Sequence, residues 1–171
     1  FSAGSHIDVH VPGGLVRQYS LCNDPAETHR YLIAVLKDAA SRGGSVAMHE
    51  QVQVGDSIEI SLPKNHFALA HEARHSLLIA GGIGITPILC MAERLAIVGE
   101  AFELHYCTRS KERTAFHDRS LGNSKFSHRS HCHGPVHGIA STFSHSTLEG
   151  TELVDVPLPN STTAIFPCGL C

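Results

Sequence analysis

The sequence predicts two packed units: a small β-barrel or sandwich over residues 1–70, and an α/β unit with a parallel sheet over residues 71–171. Three observations carry this expectation. Before residue 70, apolar residues recur with period two in short runs closed by Gly and Pro. After it, one stretch reads strand, glycine loop, helix, strand, which is the pattern of a βαβ unit. With 171 residues, 42% of them apolar, the chain is long enough and apolar enough to bury a core.

The strands come first. His6-Ile7-Asp8-Val9-His10-Val11 alternates and ends in the turn Pro12-Gly13-Gly14, and Val16 to Leu21 alternates again. Tyr31 to Leu36 is continuously apolar and predicts a more buried strand. Ser41-Arg42-Gly43-Gly44-Ser45 is a glycine turn leading into a short helical stretch, Val46 to Glu50. Val54-Gly55-Asp56 turns into a strand over residues 57–62, closed by Pro63. Beyond a polar connector, Ser76 to Ala80 reads as a buried strand ending in Gly81-Gly82. Thr86 is placed to cap a helix with Pro87 at its first position, and Ile88, Met91, Ala92 and Leu95 recur on one face. Gly99 stops that helix, and Phe102 to Thr108 forms the next strand. From His117 to Pro159 the chain is rich in Ser, His and Gly, and few elements can be assigned.

Composition removes several function classes. A net charge of −3 with 17% charged residues argues against a nucleic-acid protein held by phosphate neutralisation. No run of 18 apolar residues exists, so a membrane-spanning helix is not expected. The six cysteines are too scattered for a disulfide framework and no secretory leader pattern is present, which predicts a reduced, cytoplasmic setting. Histidine is over-represented, at 14 against 13 Lys plus Arg, and six of the 14 fall between His117 and His145. His128, His131, Cys132, His133, His137 and the terminal Cys168-x-x-Cys171 are residue types that zinc favours, but their spacing fits no zinc module, and no metal site is expected. A thioredoxin-like role for Cys168 and Cys171 is disfavoured too, since that motif opens a helix.

Three segments are candidates for chemistry. In Gly81-Gly82-Ile83-Gly84-Ile85-Thr86-Pro87 the glycines let a ligand approach the backbone, and the following helix start offers unpaired N–H groups to an anion. A tight strand–helix turn without a ligand would use the same glycines. In Arg17-Gln18-Tyr19-Ser20-Leu21, Arg17 and Tyr19 share a strand face, suiting a ligand with a phosphate and a planar ring; alone, a surface Arg beside a half-buried Tyr explains it equally. The Gly43-Gly44-Ser45 turn is again anion-accepting or merely a turn.

In order, Arg17-x-Tyr19-Ser20-Leu21, Gly44-Ser45, the glycine loop, Cys107-Thr108-Arg109-Ser110 and Cys168-Gly169 form a set that resembles the ferredoxin–NADP reductase superfamily. The resemblance is specific to the phthalate dioxygenase reductase and vanillate O-demethylase reductase group, and runs from Phe1 to Asp118, about two thirds of the chain. It implies a partial flavin-binding β-barrel over 1–70 and a nucleotide-binding α/β domain over 71–171. It also implies that Arg17 meets the flavin phosphate, that Tyr19 packs on the ring system, and that Gln18, Ser20 and Leu21 line the same segment, with Ser20 near the hydride-accepting edge. Ala34, Val35 and Lys37 match the strand walling the flavin, and Gly43, Gly44 and Ser45 the turn at its phosphate end. Gly82, Gly84, Thr86 and Pro87 match the pyridine-nucleotide loop, Cys107, Thr108 and Arg109 the adenosine half, and Cys168 and Gly169 a motif beside the nicotinamide.

The implied reaction is hydride transfer from NADH to bound flavin in the environment of Ser20, Thr86 and Cys168, with no general acid or base. FMN is expected rather than FAD on the subgroup resemblance; NADPH stays open, because Arg109, Lys111 and Arg113 suit either a 2′-phosphate or a solvated turn. Electrons would pass to an iron–sulfur domain or ferredoxin, and on to a Rieske-type terminal oxygenase or demethylase. The chain departs from the family at Leu170, where a proline is usual, and matches it little between Leu121 and Asn160. It reads as a piece of a longer reductase, without the first barrel strands and without the 2Fe-2S domain that the family carries after this point. The rival reading is a non-catalytic remnant that keeps the fold and binds nucleotide weakly or not at all.

Overall fold

The computed structural model describes residues 1–38, 40–70, 72–110, 114–116, 128–132, 151–157 and 163–165. The first element is a hairpin of β1 (His6–Val11) and β2 (Leu15–Ser20), paired antiparallel with Val11 opposite Leu15 and His6 opposite Ser20. The three-residue connection Pro12-Gly13-Gly14 needs left-handed backbone at both glycines, φ +90° and +77°, which side-chain-bearing residues rarely adopt. β3 (Arg30–Leu36) follows, then α1 (Gly44–Glu50) and β4 (Ser57–Glu59). Single bridges join these strands: Leu21 to Ile33, Val9 to Ile60 and His6 to Lys64. Inside lies a core of Ile7, Val9, Val11, Leu21, Ile33, Val35, Ala47, Met48, Ile58 and Ile60. Each fully buried Ile, Val or Leu contributes roughly 1.5–3 kcal/mol through the surface it removes from water.

The second part is built on β5 (Ser76–Gly81), α2 (Ile85–Val98), β6 (Phe102–Thr108) and β7 (His128–Cys132). β5, β6 and β7 form a parallel sheet in that order, with Gly81 beside Cys107 and Thr108 beside Cys132. α2 lays Ile88, Leu89, Met91, Ala92 and Leu95 against Leu78, Ala80, Leu104 and Tyr106. Gly99 ends it at φ +78°, donating its N–H to the Leu95 carbonyl. β8 (Thr151–Pro157) and β9 (Thr163–Ile165) then pair antiparallel with β3 and β4.

Three local expectations change. Thr86 does not cap α2: a 3-10 turn over Gly82–Gly84 leads into the helix, Gly84 is the cap residue, and the Thr86 hydroxyl donates to the Ile83 carbonyl at 3.1 Å. Pro87 therefore sits third, still in the first turn where its missing N–H costs nothing. β5 is buried on one side only; Leu78 and Ala80 meet α2, whereas Leu77 and Ile79 are 59% and 63% exposed. An apolar run of this kind does not itself say how many faces are covered. Finally, β8 and β9 fall in the sequence after residue 71, yet they pair with strands that precede residue 70.

The two cores touch at the start of the chain. Ala3 belongs to the α2 core, and Phe1 packs against both cores and meets Tyr31 edge-on with ring centres 5.7 Å apart. Gly4 makes this approach possible: it has φ +93°, and a Cβ there would lie 1.9 Å from the Phe67 carbonyl oxygen and 2.8 Å from Met91 Cε. Gly4→Ala is expected to destabilise the protein by roughly 3 kcal/mol, since backbone strain adds to a clash with main chain. Gly13→Ala, equally left-handed but with nothing within 4 Å, should cost only about 1 kcal/mol. Urea denaturation of the two variants checks the difference; equal midpoints would mean that the close approach at Gly4 is unimportant.

Candidate functional site

Residues directly opposite in an antiparallel pair share a sheet face. Ile7 faces Tyr19 and Val9 faces Arg17, so Arg17 and Tyr19 lie on the core side of the hairpin, half-buried at its margin. There Arg17 meets the first turn of α1. A Cβ on buried Gly44 would sit 2.6 Å from Arg17 Nε and 2.8 Å from its Cγ, so the side chain of Arg17 rests on the glycine. Arg17 Nη1 donates to the Val16 carbonyl at 2.9 Å. Gly43 takes the left-handed conformation at φ +90° that admits the chain to the helix. Burial pushes the Tyr19 phenol above its ordinary pKa, an effect the Arg17 charge partly offsets.

α1 is strapped to the end of β3. The Ser45 hydroxyl accepts the Asp38 N–H at 3.2 Å, Lys37 pairs with Glu50 at 2.8 Å, and His49 Nε2 lies 2.9 Å from the Val35 carbonyl. The structure thus brings Arg17, Tyr19, Gly43, Gly44, Ser45, Val35 and Lys37 into one neighbourhood. Ala34 is buried on the other face of β3 from Val35. Gln18 points away from the group and donates to Asp8 Oδ1 at 2.9 Å; Ser20 shares its face, and Leu21 is fully buried beside Ile33.

The second group lies at the carboxyl edge of the parallel sheet, where open α/β folds accept ligands. Gly81 ends β5 beside Cys107, and the glycine turn follows at once. Among the described residues a Cβ at Gly81, Gly82 or Gly84 would meet nothing within 4 Å, so the turn leaves room beside these glycines. Thr86 is buried, Cys107 is half-buried and Arg109 is exposed. Thr108 anchors the chain leaving β6: its hydroxyl is 3.0 Å from both the Thr114 hydroxyl and the Ser110 carbonyl. The Ala115 N–H donates to the Tyr106 hydroxyl at 3.2 Å.

Cys168, Gly169, Lys111 and Arg113 lie outside the described residues, as do His133 and His137. His128, His131 and Cys132 fall on β7. Among the described residues no cluster of three metal-ligating side chains converges, and no helix is long and apolar enough to cross a membrane. Sequence reasoning passes over Asn23, which is fully buried, because Asn23-Asp24-Pro25 reads as an ordinary turn.

This geometry has close parallels. The chain is 67% identical over 122 residues to the vanillate O-demethylase oxidoreductase of Pseudomonas putida, covering 71% of this chain and 38% of that protein. It is 51% identical over 123 residues to the phthalate 4,5-dioxygenase oxygenase reductase subunit of Pseudomonas putida, covering 71% and 38%. A solved phthalate dioxygenase reductase, described as a modular structure for electron transfer from pyridine nucleotides to [2Fe-2S], superimposes with a TM-score of 0.73 at 45% identity, over 77% of this chain and 42% of that one. Over these residues the chain is a homologue of these reductases and shares their ferredoxin reductase-like fold. No protein-family model matches it. It spans about two fifths of the length of these relatives. The expected fold class, a partial barrel followed by an α/β domain, is that of the family.

One prediction follows from the Tyr106 hydroxyl. Burial pushes its pKa up to about 12, against a smaller opposite effect of the Ala115 N–H. The raised value means that its stabilisation is complete below about pH 10, the unfolded value, and is lost as pH rises towards 12. Tyr106→Phe should therefore lower stability by about 1 kcal/mol at neutral pH, through the orphaned Ala115 N–H. It should also remove roughly 2 kcal/mol of the fall between pH 10 and 12. Parallel denaturation curves for parent and variant would sink the assignment if their pH dependence coincided.

Proposed function

We propose that the chain is the flavin- and nucleotide-binding portion of an oxygenase reductase, in which a hydride passes from NADH to bound FMN and electrons go on to an iron–sulfur centre and a Rieske-type oxygenase or demethylase. Residues 1–70 would supply the flavin side and the segment from residue 71 the nucleotide side. The observation that carries the reading is Arg17 resting on Gly44 at the margin of the first core, a cationic head beside a half-buried aromatic ring at a place only glycine leaves room for. Identity to reductases of the vanillate and phthalate oxygenase systems supports the reaction class.

A flavin, when bound, supplies the two-electron to one-electron conversion that such a chain needs. The protein's own part is placement. Arg17 would hold the phosphate by charge-assisted hydrogen bonds, with Gly43, Gly44 and Ser45 framing the same end. Tyr19 would offer its ring to the isoalloxazine, Val35 and Lys37 would flank it, and Ser20 would border the reacting edge. On the nucleotide side, the open turn at Gly82 and Gly84 would admit the pyrophosphate while Thr86 and Pro87 fix the start of α2. Cys107, Thr108 and Arg109 would receive the adenosine half, and Cys168 and Gly169 would sit at the nicotinamide. Bringing two rings into contact distance and excluding water is worth many orders of magnitude in rate, so no proton-transferring side chain is required. The setting is proposed to be cytoplasmic, which suits Cys22 in its thiol form, donating to the Leu32 carbonyl.

The purified chain is expected to take up FMN, turn yellow, and bleach on addition of NADH, faster than with NADPH. Gly44→Ala forces Arg17 aside and should weaken FMN binding roughly tenfold, the cost of one displaced charge-assisted contact. Absorbance titration reads both. A preparation that is colourless once unbound FMN has been removed overturns the reading and favours the non-catalytic remnant.

A further inference from the structure

We infer that Asn23 is a positioning residue: its buried amide locks the exit of β2 to β3, and so fixes the register of the two strands that carry the proposed flavin contacts. This rests on the functional reading above. Asn23 is 0% exposed in the connection between the strands. Its Oδ1 accepts the Leu32 N–H at 2.9 Å, and its Nδ2 lies 3.3 Å from the Arg30 carbonyl. Leu32 presents a donor and Arg30 an acceptor, so only one orientation of the amide satisfies both. The side chain thus acts as a peptide group of a neighbouring strand would, bonding on either side of Tyr31.

The same amide nitrogen reaches Glu27 Oε2 at 3.3 Å and the Asp24 carbonyl at 3.4 Å. Glu27 is held in turn by Arg30, at 2.6 Å from Nε, and this pair keeps its carboxyl below the ordinary pKa. One residue earlier, the Cys22 N–H donates to the Leu32 carbonyl at 2.9 Å, and Leu21 bridges to Ile33. Residues 21–23 are therefore stitched to residues 30–33 immediately after Arg17, Tyr19 and Ser20 and immediately before Ala34 and Val35. Among the described residues no strand ladder joins β2 to β3: β2 pairs with β1 and β3 with β8, so residues 21–23 and the Asn23 amide supply the link between them. A register shift of one residue would turn every side chain to the opposite face. Asn23 opposes that shift without touching the ligand itself.

Two measurements test this. In the FMN-loaded chain, Asn23→Ala is expected to lower the limiting rate of flavin reduction by NADH roughly tenfold, as a displacement below 1 Å at the reacting edge would do, and to change the visible circular dichroism of bound FMN. The KM for NADH should not move, because the nucleotide side is untouched. Asn23→Asp keeps the acceptor for the Leu32 N–H but sets an oxygen against the Arg30 carbonyl and Glu27. It should therefore recover rate and spectrum only at low pH, where the protonated acid can donate; it also serves if the Ala variant fails to fold. In the flavin-free chain, amide exchange at Leu32 should accelerate at least tenfold in Asn23→Ala, while amides of α2 keep the parent's rates. Exchange at Leu32 that stays at the parent's rate overturns the lock. A parent-like reduction rate and flavin spectrum in Asn23→Ala overturns the positioning role even if exchange accelerates. A parent chain that never binds FMN overturns the functional reading and Asn23's role towards the ligand together, and the exchange result then speaks for the lock alone.

Discussion

The register of the first hairpin governs the half of the molecule where Arg17 and Tyr19 lie. With Ile7 opposite Tyr19 and Val9 opposite Arg17, the core-facing side of the pair carries three fully buried aliphatics on one strand and Leu15, Arg17 and Tyr19 on the other. A cation on that side must reach the margin of the core, because burying it unpaired is costly. It reaches the margin only because α1 begins with a residue that has no side chain. Ala47 and Met48 of the same helix fill the core beneath. One short helix thus both closes the apolar interior and leaves a bare spot for the guanidinium stem, so the site and the packing cannot be varied independently there.

The half built on α2 follows a different constraint. In a parallel sheet all the strands of the βαβ unit leave at the same edge, so the glycine turn after β5 and the anchored turn after β6 come together whatever the loop sequences are. What the loops decide is rigidity. Among the described residues nothing lies within 4 Å of a Cβ placed at Gly82 or Gly84, whereas the chain after β6 is held by two threonine hydroxyls and a tyrosine hydroxyl from within the core. The proposed nucleotide would need room on one side and a fixed wall on the other, and the two turns would divide those tasks.

Much of this was legible in the residues. The period-two runs set β1 and β2, the apolar run set β3, and the 3.6-residue spacing of Ile88, Ala92 and Leu95 set α2, because each pattern records a one-sided burial. The conjunction of Arg17 with Gly44 was legible as a resemblance, and its contact has a physical basis that spacing alone does not reveal. Other features had no local signal. Thr86 has the composition of a cap, but a preceding 3-10 turn decided where the helix begins, and that turn depends on Gly82 adopting φ +49°. Leu77 and Ile79 read as buried because a sequence does not state what covers a strand's second face. The return of β8 to β3 is a pairing across more than a hundred residues, for which no neighbouring residue carries information. Asn23 was hidden for the same reason: a buried asparagine and a turn asparagine are the same letter, and only its partners nine and seven residues away distinguish them.

The junction between the two cores bears most directly on the proposed reaction. Hydride transfer between two bound rings tolerates little error in their separation, so the angle between the flavin side and the nucleotide side must be set by something stiffer than the polar connector near residue 71. The first five residues supply it. Phe1 touches both cores, Ala3 is sunk in the one built on α2, and the Asn65 side chain donates to the Ala3 carbonyl at 2.9 Å and to the Ser2 hydroxyl at 2.7 Å. Gly4 draws the main chain of Phe67 close enough to exclude any side chain. The segment then runs without interruption into β1, whose partner β2 carries Arg17 and Tyr19. Ala3 and Gly4 thus form a continuous packed path from the α2 core to β1, and the pairing of Ile7 with Tyr19 extends it to the proposed flavin contacts. The two halves meet through Ala3 and Phe1 in the α2 core and through Met91, whose Cε approaches Gly4, while the Gly4–Phe67 contact stiffens the first half itself.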